Sequence, residues 1–533
     1  MAPSLTHPIV ISLALFPVFL LCRRIVRALN NRYTSDIRYI SRPDGGHWLW
    51  GHELEPFSRL PGETYAKWLE NHGSLVRISG AFGHDDILVV ADTGVLAHIL
   101  TKRPYAYPKS SMFRSFFLRI SGRGLVWAEG EDHRRMRSTL NPVFSASEVR
   151  NMYEDVKLCS DRMTLLLTKY LNNNGGDAAI QVPEWTTKVA LDIIGRVGFG
   201  HDFDFGKSAE AKQISTAWTK MLKLNMSRNG AMAPIVLRNF PIIDSLPISA
   251  LKSQGTINRI ITGLAEKLFV KETLDPESIK GRDLLSTLLR ENRSGRTAIS
   301  KEELLDQIST FVTAGHETTA ATLNLILLTL AQNPDIQDKM RRELVDFGTE
   351  PTYDDFLAKL PYLDAVVKEG LRMFPAGPST ERIAAEDDAL PLRKPIQTPD
   401  GRTLTSIRIK RGQVIIIPTM SINRDNAVWG DGWTFRPERW LSPDQLPAHG
   451  ETTQGWSQTL TFLQGPRMCI GFRLVILELK VVLSSLIKTF VLHDTGAEVE
   501  PVIAVNLQAR IVGEEGVRLP LRFTFAEPEL RVQ

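Results

Sequence analysis

Apolar residues recur at helical spacing over most of the chain, and the longest such run extends from Ile299 to Leu330. Ser300 and Glu303 stand at its start with capping-box spacing, and Ile299 and Leu304 are placed as a hydrophobic staple. Asn333-Pro334 ends it. A second helix is predicted over residues 472–486, with Ile476, Leu479, Leu483 and Leu486 on one face. A third is predicted over 361–372, with Pro361 in its first turn and Pro375 just past its end. Residues 391–420 read as strand instead, with Ile407-Arg408-Ile409 and Val414 to Ile417 separated by a turn at Gly412. Turn formers mark loops at 172–176, 291–295 and 442–455.

The first segment has another pattern. Leu5 to Cys22 is nearly free of charge, and Arg23, Arg24, Arg27 and Arg32 follow it. The stretch is short for a membrane span, but flanking arginines lengthen it by snorkelling. Basic residues after the apolar run argue against a cleaved signal peptide. They place the N-terminus in the lumen and the main domain in the cytosol. The expected organisation is a membrane anchor over residues 1–30 and one large domain over 31–533. No long linker or repeat divides the remainder. The net charge of +4 is small for 533 residues and gives no reason to expect nucleic acid. Three scattered cysteines fit a reducing compartment.

Two places break the helical rule or carry unusual chemistry. Inside the longest run, Ala314-Gly315-His316-Glu317-Thr318-Thr319 puts glycine and threonines where helix formers belong. A bulge or kink is expected there, opening a groove over a flat cofactor. His316 is read as an exposed or satisfied histidine. Near the C-terminus, Phe462, Gly465, Arg467, Cys469 and Gly471 form F-x-x-G-x-R-x-C-x-G, followed at once by an apolar helix. A thiolate at a helix N-terminus suits the axial sulfur ligand of a haem iron. Gly465 and Gly471 would let backbone N–H groups approach the sulfur. Arg467 would neutralise a haem propionate, and Phe462 would shield the sulfur. Zinc fits poorly, since no C-x-x-C occurs.

The Cys469 loop, the Ala314–Thr319 stretch and the pair Glu369 and Arg372 together resemble the cytochrome P450 family, from about residue 40 to the end. The resemblance implies a mostly α fold with small β-sheets in one large domain. It implies haem b between the Cys469 loop and a long distal helix, with Cys469 as the metal-binding thiolate. Oxygen cleavage needs protons, and the family motif assigns Glu317 to relay them and Thr318 to hold water. Glu369, Arg372 and Arg439, the last within Phe435-Arg436-Pro437-Glu438-Arg439-Trp440, would form a buried structural triad. Arg137 and His133, in Gly130-x-x-His133-x-x-x-Arg137, map onto propionate contacts; the family usually has Trp where His133 stands. Arg382, after Pro378-Ser379, maps onto another.

The implied activity is that of a haem-thiolate monooxygenase. No nucleotide fingerprint is visible, so electrons come from another protein. The family points to a membrane-bound NADPH-cytochrome P450 reductase, with cytochrome b5 as a further donor, and to the endoplasmic reticulum membrane. Arg134 and Arg135 are candidate contacts for an acidic redox partner. Segments that line the family's pocket are largely apolar here, including Phe113, Phe116, Phe117, Ile235, Ile242 and Ile243. Residues 237–247 are also a candidate for contact with the bilayer. His133 in place of Trp looks similar to fungal microsomal members, which often oxidise secondary metabolites. A terpenoid is the expected substrate; fatty acid, steroid and xenobiotic remain open. A peroxide isomerase or dehydratase would tend to lose the acid–threonine pair, and a haem sensor or membrane scaffold would not need it.

Overall fold

The capping box forms as its spacing predicts. Ser300 Oγ accepts from the Glu303 N–H at 3.2 Å, and the Glu303 carboxylate accepts from the Ser300 N–H at 3.3 Å. Behind it the helix Lys301–Gln332 runs unbroken through the computed structural model of the chain. The structure describes residues 17–19, 21–23, 25–26, 35–274, 283–293, 299–448 and 450–526. Most of the anchor expected over 1–30 lies outside them. Among the described residues no helix is long and apolar enough to cross a membrane.

Among the described residues helices dominate, with four small sheets between them. The expected bulge within the Ala314–Thr319 stretch does not occur: the segment stays α-helical. Thr318 Oγ1 donates back to the Ala314 carbonyl at 2.6 Å and Thr319 Oγ1 to the Gly315 carbonyl at 3.0 Å. Such back-bonding lets threonine sit inside a helix with its hydroxyl satisfied. Gly315 is there for packing. A Cβ at that position would come within 2.9 Å of Ile194 on the neighbouring helix Val182–Phe199.

The strands predicted around Gly412 form, but they part company. Thr403–Ile409 pairs with Asp388–Gln397, whereas Val414–Ile417 joins a four-stranded sheet beside Ile87–Val90 and Thr380–Ile383. Gly412 has φ +89°, which turns the chain from one sheet to the other.

The helix Pro361–Met373 carries Glu369 and Arg372, and both are fully buried, as is Arg439. Glu369 receives five donors. Arg372 grips it with Nη2 at 2.8 Å and Nε at 2.9 Å. Arg439 Nε, the Arg436 N–H and Trp440 Nε1 complete the set at 3.1, 2.9 and 2.9 Å. The triad becomes a quartet through Asp431, whose carboxylate accepts from Arg439 Nη2 at 2.7 Å. Arg436 Nε reaches the same Asp431 carboxylate at 3.1 Å, and the buried Arg424 lies close enough to feel both Arg372 and Glu369. Motif reading did not include Asp431, which sits in an irregular turn. Asn423 carries the link onward. Its side chain accepts from the Leu460 N–H at 2.8 Å and donates to Thr461 Oγ1 at 3.0 Å, while Arg372 Nη1 holds the Asn423 carbonyl at 2.8 Å.

Removing one partner of a buried ion network strands the others. Glu369→Gln is therefore expected to destabilise the protein by about 3–5 kcal/mol. Asp431→Asn should be milder, because Asp431 is partly exposed. Denaturant unfolding checks the order; equal effects would contradict it.

Candidate active site

From Gln307 to Leu328 every residue of the long helix is buried except Ala314, Gly315 and Thr318. Positions 314 and 318 are one turn apart, so they open on one face. The second interior opening lies at Cys469. Its side chain has accessible surface, yet protein atoms enclose it at longer range. Both observations hold if the sulfur faces an internal cleft. Burial pushes the thiol above its ordinary range, while the Gly471 N–H and the nearby Arg137 pull it down. Gly471 is the N-cap of the helix Phe472–Thr489. A buried thiol of this kind becomes a thiolate when a cation sits beside it.

The Cys469 loop is tightly seated. The Cys469 N–H donates to the Phe462 carbonyl at 2.9 Å, and the buried Phe462 ring lies against Trp456 and Phe472. Gly465 has φ +71°, and a Cβ there would meet the Leu100 carbonyl at 2.1 Å. Glycine at 465 thus answers a close approach between the loop and the His98–Lys102 turn.

Beside the loop lies a cluster of buried charge. Arg467 pairs with Glu129, and its Nη1 is buried with no hydrogen-bond partner. Lys109, which carries no motif, reaches Glu129 at 3.1 Å and the Ala128 carbonyl at 3.0 Å. Burial, with Arg467 and Arg382 adding to it, pushes the Lys109 ammonium down to about 7. Arg382, on the strand Thr380–Ile383, bonds Thr380 Oγ1 at 2.7 Å and the Glu381 carbonyl at 2.8 Å. Burial first and Arg467 second push it down to about 10. Burial raises the Glu129 carboxyl, but Lys109 and Arg467 outweigh it and leave the group below the usual carboxylate range. Three buried cations therefore face one carboxylate.

His133 is also buried, with Nδ1 3.0 Å from the Tyr105 hydroxyl. Burial, then Arg467, push it down to about 4, so it is neutral at pH 7. Arg137, expected at a propionate, gives Nη1 to the Met468 carbonyl at 2.5 Å. Arg134 and Arg135 are exposed but paired within the chain, with Glu131 and Glu303 respectively. Those pairings weaken the field they present to a partner.

On the long helix, Glu317 is buried, and among the described residues no lysine or arginine pairs with it. Burial pushes its carboxyl up to about 7, and the Gln508 amide only partly opposes this. His316 Nε2 lies 3.6 Å from Glu317 Oε1. That contact is not an ion pair at neutral pH, because burial pushes His316 down to about 4. The histidine expected to be exposed or satisfied is in fact fully buried and half satisfied: Nδ1 meets the Val312 carbonyl at 2.6 Å, and Nε2 has no partner.

Residues 42–508 match the family model described as Cytochrome P450. The chain is a cytochrome P450. A cytochrome P450 monooxygenase of Ampulloclitocybe clavipes, claQ, is 31% identical over 477 residues, covering 87% of this chain and 88% of its own length. Cytochrome P450 monooxygenase 128 of Postia placenta is 30% identical over 528 residues, covering 93% and 94%. A third, claO of Ampulloclitocybe clavipes, is 32% identical over 478 residues, covering 86% and 88%. This P450 is accordingly an oxidoreductase of the monooxygenase type. Its cofactor is haem b, with iron held by a cysteine thiolate. The family uses a redox partner and hydrophobic substrates.

The residues present fit haem b. Two propionates bring two negative charges; Arg382 and Arg467 exceed Glu129 by one positive charge, and Lys109, pushed down to about 7, adds a second when it is protonated. The unpartnered Arg467 Nη1 supplies a free donor. Gly465→Ala should unseat the loop through the Leu100 contact and its positive φ. The expected result is a several-fold lower haem-to-protein ratio in purified protein; unchanged haem content would contradict the seating.

Proposed function

We propose that Cys469 is the axial ligand and that this P450 hydroxylates a C–H bond of a hydrophobic small molecule. The observation that carries the reading is the pair of openings in an otherwise buried interior, at Ala314 with Thr318 and at Cys469, beside an unbalanced positive cluster. Bound haem supplies the reductive activation of dioxygen. Lys109, Arg382 and Arg467 hold its propionates, and His133 stays neutral beside them. Arg137 steadies the Cys469 loop through the Met468 carbonyl and lowers the cost of negative charge on the sulfur. Thr318 presents its hydroxyl at the open face. Glu317, raised to about 7, exchanges protons near neutral pH, where a general acid is most effective.

Half-buried Phe113, Phe116 and Phe117, with Phe113 and Phe117 at 4.5 Å, offer an aromatic wall to an apolar ligand. A terpenoid is the substrate class we favour, from likeness to fungal microsomal members. Ile242 and Leu246, read from the sequence among segments lining the pocket, are instead exposed, Ile242 at 75%. Exposed apolar side chains of this kind suit contact with the bilayer surface of the endoplasmic reticulum. NADPH-cytochrome P450 reductase, with cytochrome b5 as a second donor, delivers the electrons in this reading.

Cys469→Ser should lose the red-shifted Soret band of the reduced, carbon-monoxide-bound protein. A normal band would remove Cys469 from the iron. Thr318→Ala should keep that band and divert NADPH electrons to hydrogen peroxide. Peroxide release at the wild-type rate would remove Thr318 from proton handling.

A further inference from the structure

The carboxyl of Glu317 has neighbours that the motif around it does not contain. They come from the hairpin Val499–Ile503 and Leu507–Ile511, some 190 residues further along the chain. Asn506 and Gln508 are both buried there. Asn506 Nδ2 donates to the Glu317 main-chain carbonyl at 3.1 Å. Gln508 Nε2 donates to Asn506 Oδ1 at 2.7 Å and lies 3.4 Å from Glu317 Oε2. The two amides thus close a ring on one residue, joining its backbone to its carboxyl. The hairpin is itself tied down, since the Leu507 N–H donates to the Ala376 carbonyl at 2.9 Å.

The other carboxyl oxygen faces the opposite kind of group. His316 Nδ1 faces the Val312 carbonyl and must carry the proton, so Nε2 presents a bare lone pair 3.6 Å from Glu317 Oε1. Trp218 covers the imidazole edge-on at 5.4 Å. One oxygen therefore meets a donor, which favours the carboxylate, and the other meets an acceptor, which favours the acid. Charged groups on the surrounding elements are engaged elsewhere. Arg510 pairs with Glu500, Glu478 of the helix behind Cys469 turns to Thr319, and Asp192 and Arg196 pair with Arg162 and Asp202. Among the described residues no formal charge competes with the amide and the imidazole for control of Glu317.

We propose that Gln508, locked in place by Asn506, is the positioning residue for Glu317, fixing the direction of its carboxyl and the pH at which it gives up its proton. This rests on the reading of Glu317 as a proton-handling group. The sign follows from the donor. Gln508 stabilises the charged form, so its loss leaves burial and the His316 lone pair unopposed and moves the titration upward.

The test uses the full-length holoenzyme. Infrared difference spectra between about pH 6 and about pH 9 report protonated buried carboxyls, and the band absent from Glu317→Gln belongs to Glu317. In Gln508→Leu the midpoint of that band should rise by about 0.5–1 unit, the size expected for one lost hydrogen bond. In Asn506→Ala it should rise less, because Gln508 remains but is no longer held. Asn506→Ala also serves if Gln508→Leu fails to fold. A midpoint unmoved in the folded variants overturns the proposal. The partition of oxygen between peroxide and water, measured with reductase and NADPH and no organic substrate, tests the underlying reading separately. If Glu317→Gln leaves that partition unchanged, the proton-handling role falls, whatever the infrared midpoint does.

Discussion

A carboxylate with no access to water and five hydrogen-bond donors holds this molecule in register. Arg372 and Arg439 both donate to Glu369, and Asp431 accepts from the second arginine. The arrangement spans three stretches of chain that are far apart in sequence. Through Asn423 it reaches the backbone N–H of Leu460 and the hydroxyl of Thr461, and the adjoining Phe462 carbonyl accepts from the N–H of Cys469. The geometry of the sulfur is therefore anchored to a network whose geometry is rigid because charge in a low-dielectric interior tolerates little displacement.

The interior uses charge in three different ways. Around Glu369 a buried carboxylate is met by five donors, and the result is structural. Around Arg467 charge is unbalanced toward positive, with Lys109 and Arg382 crowding one carboxylate, and this suits a dianionic group such as the two propionates. Around Glu317 there is an ionisable group with no partner of opposite charge among the described residues, and burial alone moves it into the range where it exchanges protons at neutral pH. The three settings lie on different elements, and each fits a separate role. The first suits holding the loop, the second holding the cofactor, and the third moving protons.

Local signals that a short stretch of chain can carry were legible. The capping box at Ser300, the stop at Asn333-Pro334, the helix behind Cys469 and the pairing of Glu369 with Arg372 all depend on residues a few positions apart, where periodicity and capping chemistry act directly. The glycine and threonines at 314–319 read as a bulge or kink. No bulge forms; back-bonded threonines and small side chains leave positions 314 and 318 open while the helix stays whole. Asp431, Lys109, Asn506 and Gln508 carried no motif, because each acquires its partner only across a long loop of chain.

The sequence by itself determined the boundaries of the long helices and the family, since these rest on spacing along one segment. Only the tertiary structure decided what Gly465 and Gly315 are for, where Arg137 points, and that His316 is buried with one nitrogen bare. Burial and the company of distant residues set those properties, and neither is encoded at any single position. A side chain's proton affinity is a sum over its surroundings, so it exists only once the surroundings have assembled.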